Sequence, residues 1–145
     1  VRGRRALAAA AILLAASIAW ARSPGQRALD DGVALYKKGN YREARDQFRA
    51  AVDLDPALTK AWENLGWANH RLGEDAEALR IWKTVLKIEP DNVGAWNAVG
   101  EVQYAKGVWA EAAKAFEKSL ALFGKQPDVC LRLGQTYEKL GRGPA

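Results

Sequence analysis

Side chains able to do chemistry near neutral pH are few in this chain. There is one histidine, His70, and one cysteine, Cys130, and they stand far apart along the sequence. A nucleophile–base pair would have to join these two, and no motif around either supports it. Arg71 follows His70, which invites an acid–base reading. No carboxylate pair, activated nucleophile or metal-ligand cluster accompanies them, so a solvated histidine is the better expectation. A single cysteine excludes an intrachain disulfide and a cysteine-based zinc site, and Cys130 is expected as a small apolar core residue. Asp53-Leu54-Asp55-Pro56 has the outline of a metal loop, but Lys87-Ile88-Glu89-Pro90 repeats that outline with a lysine in place of the first aspartate. The segment is therefore punctuation between elements. With no glycine-rich phosphate loop either, the expectation is a non-catalytic chain with no cofactor and no metal.

The elements that carry these residues recur. Ala61-Trp62-Glu63-Asn64-Leu65-Gly66 matches Ala95-Trp96-Asn97-Ala98-Val99-Gly100 at a spacing of 34. Glycines 32, 66, 100 and 134 share one phase of that period, and glycines 39, 73, 107 and 141 share another. A fixed period of this length is the signature of a stacked repeat. Within a unit, Trp62, Leu65, Gly66 and Asn69 fall at i, i+3, i+4 and i+7, one face of a first helix. Ala78, Trp82 and Val85 mark a face of a second. Gly73 between them supplies the left-handed residue that ends a helix, and Pro56 and Pro90 close their units because proline cannot extend a helix interior. Gly66 on the first helix and Ala44, Ala78 and Ala112 on the second are small enough to let two backbones approach.

The pattern W-x2-L-G-x2-Y, then A-x3-F-x2-A, then P resembles the tetratricopeptide repeat. A first unit, about 25–58, keeps Gly32, Ala44, Phe48, Ala51 and Pro56, with Ala28 and Asp31 where Trp and Leu are usual. The second, 59–92, keeps Trp62, Leu65, Gly66, Ala78 and Pro90, with Trp82 in place of Phe. The third, 93–126, keeps Trp96, Gly100, Ala112 and Phe116, with Gly124 at the proline position. A partial repeat or capping helix, 127–140, keeps Leu133, Gly134 and Tyr137, and Arg132, Gln135, Glu138 and Lys139 give it a polar face suited to a cap. A fragment of a longer array is the alternative. The resemblance implies an all-α fold, a right-handed superhelical array of antiparallel helix pairs over residues 22–145.

It also implies a concave groove lined by the first helices, where a peptide lies. The implied groove positions carry Gln26, Leu29, Val33 and Tyr36; then Lys60, Glu63, Trp67 and His70; then Gly94, Asn97, Glu101 and Tyr104, with Asn64 and Arg71 beside them. Tyr36, Trp67 and Tyr104 are expected as anchors and Lys60, Asn64, Arg71 and Asn97 as polar contacts, the mix that interface centres favour. The alternative is that the rings pack against neighbouring first helices. One subgroup of the family grips a C-terminal carboxylate with Lys and Asn in its first unit. Leu29 and Val33 stand there in this chain, which puts that ligand in doubt.

Charge adds little to this picture. The formal net charge is +5, but Arg2, Arg4 and Arg5 precede an apolar run, and residues 1–21 hold no acid. Without that segment 19 basic residues face 17 acidic ones, with no basic cluster interleaved with aromatics, so nucleic acid is not an expected partner. Ala6–Ala21 is uncharged, and nine of its sixteen residues are alanine. As a helix it would span roughly 24 Å, short of the ~30 Å hydrocarbon core. A basic start, a short apolar centre and Ala19-Trp20-Ala21 fit a signal peptide cleaved before Arg22; an uncleaved membrane anchor is the alternative. Both put the body of the chain outside the cytoplasm, in the periplasm or at the inner membrane. The function expected is a protein- or peptide-binding adaptor of the cell envelope. A self-assembling scaffold, or an accessory region of a larger enzyme, would carry the same features.

Overall fold

The computed structural model describes residues 22–141. Seven α-helices run through them: α1 (Pro24–Lys37), α2 (Tyr41–Leu54), α3 (Thr59–Arg71), α4 (Asp75–Ile88), α5 (Val93–Ala105), α6 (Trp109–Leu122) and α7 (Pro127–Lys139). No strand occurs among the described residues. Helices α3, α5 and α7 begin at 59, 93 and 127, and α2, α4 and α6 at 41, 75 and 109, so the period of the sequence is the period of the structure. The expected signal peptide or anchor, 1–21, lies outside the described residues. No helix among those described is long and apolar enough to cross a membrane.

Local chemistry sets each boundary. Gly73 takes φ +80°, where a Cβ would be strained. That turn lets the Gly73 N–H reach His70 C=O at 3.0 Å and the Glu74 N–H reach Asn69 C=O at 2.9 Å, which satisfies carbonyls left over at the end of α3. Ser23 and Asn92 cap α1 and α5 by accepting from the backbone N–H of Gln26 and Ala95. At the unit junctions the Trp62 indole donates to Pro56 C=O and the Trp96 indole to Pro90 C=O, both at 2.9 Å. Tryptophan and proline are thus one device, and the sequence shows it: where Gly124 replaces the proline, Cys130 replaces the tryptophan.

The three helix pairs close on one contact. Phe48, Trp82 and Phe116 are fully buried, and each ring lies against a glycine of the partner helix. A Cβ on Gly32, Gly66 or Gly100 would come within 2.6, 2.4 or 2.4 Å of those rings. Burying such a ring is worth about 2–3 kcal/mol, so the glycine's cost in helix propensity, about 1 kcal/mol, is outweighed. Gly134 shares the phase, yet nothing among the described residues lies within 4 Å of its Cβ position. Cys130, on the same helix, is exposed. The expectation of a core cysteine fails because no second helix among the described residues covers that face of α7.

Stacking between pairs is carried mainly by each second helix against the first helix of the next unit, α2 on α3, α4 on α5 and α6 on α7. Helix α1 touches α3 and α3 touches α5, while successive second helices among the described residues make no comparable contact. The array therefore bends toward the first helices and presents them on its inner side. Polar stitches fix the register of this stack. Asn92 donates to Glu63 at 2.7 Å, and Asn97 donates to Gln126 at the same distance. These two pairs are one repeat period apart, with donor and acceptor exchanged. At the first junction the corresponding residues are Leu29 and Leu58, both in the apolar cluster of units one and two.

Candidate functional site

The inner face is built from a rung at the end of each first helix. Residue twelve of a unit meets residue seventeen, the first residue of the second helix, across the turn. In unit one Tyr36 and Tyr41 meet edge to face, centroids 5.0 Å apart; in unit three Tyr104 and Trp109 do the same at 5.1 Å. In unit two the rung is polar: His70 Nδ1 lies 2.7 Å from Asp75 Oδ1. A cation reaches each aromatic rung from the next unit. The Arg71 guanidinium sits 4.7 Å over the Tyr41 ring and donates to its hydroxyl at 2.6 Å. The Arg132 guanidinium sits 4.8 Å over Tyr104 and donates to Glu101 at 3.1 Å. Such placements favour a cation on electrostatic grounds.

Burial pushes the Tyr36 hydroxyl above its ordinary range, against the opposing pull of Arg71, and neighbouring Tyr41 adds to the rise. Arg132 is held still more firmly protonated, chiefly by its hydrogen bond to Glu101. Neither group is poised to exchange a proton near neutral pH. Among the described residues no cluster of His, Cys, Asp and Glu could hold a metal ion.

Apart from His70, placed in the polar rung, the residues expected in the groove fall into three groups, two of which share Trp67. Tyr36, Trp67 and Tyr104 are half-buried, and each meets an aromatic ring of its own unit's second helix. Tyr36 lies 6.5 Å from Phe48, and Trp67 stands edge-on to Trp82 at 5.0 Å and to His70 at 5.9 Å. Their packing is thus real: Tyr36 and Trp67 lie over the aromatic that fills their own unit's glycine, and both also border clusters that include residues of the next first helix. Asn97 and Glu101 are engaged between units, Asn97 with Gln126 and Glu101 with Arg132. The Asn97 Oδ1 is buried without a hydrogen-bond partner among the described residues. Lys60, Asn64, Trp67 and Arg71 form a stripe along α3 at spacings of four, three and four. In it Lys60 is exposed and paired with Glu63 at 2.6 Å, and the half-buried Asn64 amide makes no hydrogen bond within the described residues.

Sequence reasoning missed Tyr41, Asp75 and Trp109, the far halves of the rungs. Their common phase in the repeat was the available signal. The polar face of α7 puts Arg132 on the outer, capping side; its contacts with Tyr104 and Glu101 turn it to the inner face instead.

A stacked array of helix pairs with an inner wall of rings, cations and one unengaged amide belongs to the class of helical-repeat proteins. The family is specific: a profile described as tetratricopeptide repeat matches residues 29–82 and 76–128, and the chain belongs to it. No curated protein sequence matches. Solved structures share the fold at low identity. The first tetratricopeptide domain of Spaghetti (RPAP3), bound to an HSP90 peptide, superposes with a TM-score of 0.78 at 23% identity, over 81% of this chain and 93% of that one. The Sgt2 domain from Aspergillus fumigatus gives 0.76 at 22%, over 86% and 89%. The Yersinia enterocolitica type III secretion chaperone SycD, in complex with a peptide of the translocator YopD, gives 0.74 at 19%, over 79% and 92%.

Proposed function

We propose that the chain is a non-catalytic adaptor that binds a peptide segment of another protein along the α3 stripe of its inner face. Asn64 carries this reading. A primary amide offers a donor and an acceptor side by side, which is what a peptide bond presents in return. In α3 that amide is half-buried, makes no hydrogen bond within the described residues and stands between Lys60 and Trp67. Two of the structurally similar domains hold peptides, which supports the class of ligand. It does not supply the ligand's identity: Leu29 and Val33 offer no donor to a terminal carboxylate, so a chaperone tail is a poor candidate.

Selection of a displayed random-peptide library on the chain, followed by the same selection on Asn64→Ala, tests the site. Asn64 makes no hydrogen bond within the described residues, so the variant should keep its Tm. Peptides bound by the parent should be lost or weakened about tenfold with the variant, the scale of one charge-free hydrogen-bond pair in a dry site. Equal retention by both would remove the stripe from consideration.

Self-assembly is the second reading, and one observation favours it: Leu131 on α7 is 64% exposed beside the open Gly134. Light scattering over a concentration series separates the two, since a constant monomer mass excludes the scaffold. Export to the envelope belongs to the same proposal and rests on residues 1–21 alone. N-terminal sequencing of the expressed protein checks it: a chain beginning at Arg22 supports a cleaved signal peptide.

A further inference from the structure

The outer side of the array carries two clefts in equivalent places, each over the back of a first helix and between two second helices. One lies over α3, walled by α2 and α4, with a volume of about 240 Å³. The other lies over α5, walled by α4 and α6, with a volume of about 430 Å³. Both are floored by the junction tryptophan, Trp62 or Trp96, held by its bond to a proline carbonyl. Laying one over the other at the repeat period isolates two differences.

The first is size. Ile81 fills the smaller cleft, and Ala115 stands at its place in the larger one. Three carbons fewer leave the Trp96 ring open beside Leu86 and Val99. The second is charge. Around the smaller cleft two cations, Arg49 and Arg80, face two carboxylates, Asp53 and Glu77, and Arg80 is tied to Glu77 through two bonds of 2.6 and 2.8 Å. Around the larger one Lys87 replaces Asp53, so Lys83, Lys87 and Lys114 face Glu111 alone. None of these three lysines forms an ion pair within the described residues. Folding does not require either change, since the neighbouring unit packs without them.

We infer that the α4–α6 cleft is a second binding site, separate from the inner face, for an acidic peptide segment that inserts one bulky apolar side chain. The cleft's volume suits a single ring or branched aliphatic group over Trp96. Lys83 and Lys87, one helical turn apart on α4, and Lys114 on the opposite wall place cationic groups on both sides of that anchor. A peptide with carboxylates before and after its apolar residue answers both walls, whereas an amphiphile with one head group answers only one. Charge complementarity of this kind steers and orients association.

The test is a heteronuclear NMR titration of the chain with three capped pentapeptides: Phe flanked by two Glu on each side, Ala flanked likewise, and Phe flanked by Lys. Only the acidic Phe peptide should shift the Trp96 indole N–H and the amides near Ala115, and the shifts should shrink as salt rises. Ala115→Ile, which copies the unit-two residue, should abolish binding. Lys87→Asp, an exposed change copying Asp53, should weaken it about tenfold with the Tm preserved. The lysine variant keeps the test decisive if isoleucine disturbs the core. Shifts confined to α1, α3 and α5 inner-face residues, or unchanged affinity in Lys87→Asp, would overturn the site. Tighter binding of laurate than of the peptide would overturn the peptide assignment. So would a doubling of mass by light scattering that broadens the cleft signals, since the occupant would then be a second copy of the chain.

Discussion

The first helix of unit three, α5, and the last helix, α7, carry the same signature glycine and use it in opposite ways. Gly100 is pressed by Phe116, and on the other side of α5 Tyr104 stands against Trp109. Gly134 meets nothing among the described residues, and the positions of α7 equivalent to Trp67 and Tyr104 are Gln135 and Glu138. In units one and two the coupling is direct: Tyr36 rests on Phe48 and Trp67 on Trp82, the same rings that fill Gly32 and Gly66. Among the described residues, inner-face aromatics and pair-closing aromatics thus occur together, and α7 has neither at these positions. A second helix supplies the platform on which a binding ring can stand half-exposed without collapsing.

The strongest break in this contrast is Phe116→Ala, which should cost about 3–5 kcal/mol, measured by denaturant unfolding. Gly100→Ala comes next. Alanine improves helix propensity by about 1 kcal/mol, but its Cβ meets the Phe116 ring at 2.4 Å, so a net loss of about 1–3 kcal/mol is expected. Trp67→Ala follows, at about 1–2 kcal/mol for a half-buried ring and its edge contact with Trp82. From spacing alone Trp67 would be a groove residue whose loss spares stability, and a variant of parental stability would restore that view. At α7 the sign reverses: Gly134→Ala should stabilise by up to about 1 kcal/mol. A destabilised Gly134→Ala would show that a covering helix does meet that face.

Much of the fold was legible because the period is written twice, in glycines that end helices and in glycines that admit a ring. What the sequence could not show is which neighbour each inner-face residue takes. Asn97 and Asn64 are adjacent positions of one pattern. Yet Asn97 is consumed by Gln126, a cap residue 29 positions away, whereas Asn64 is left without a hydrogen bond among the described residues. The polarity of Arg132 is legible and its direction is not, since an exposed capping face and a rung contact require the same residue type. Such outcomes depend on a partner in another unit, and a pattern within one unit carries no record of it. The two outer clefts illustrate the same point: Ala115 is an ordinary repeat alanine until Ile81 is laid beside it.

The smallest expected effect sharpens the account of the first rung. Tyr36 is held above the usual tyrosine range by burial, while Arg71 pulls it down. The unfolded chain ionises this phenol near pH 10.0 and the folded chain only at higher pH. Stability from this group is therefore complete below pH 10 and falls as pH rises toward the folded value, because the unfolded state releases its proton first. In a spectrophotometric titration of tyrosinate absorbance, Tyr36→Phe should remove a component that the parent shows above pH 10.0. Arg71→Ala should move it further up, since the opposing positive charge is gone. If Arg71→Ala instead moves it down, desolvation outweighs charge in a different sense: removing the guanidinium from Tyr41 must then open the rung to water, and the cation is a lid on the aromatic pair rather than a neighbour to it.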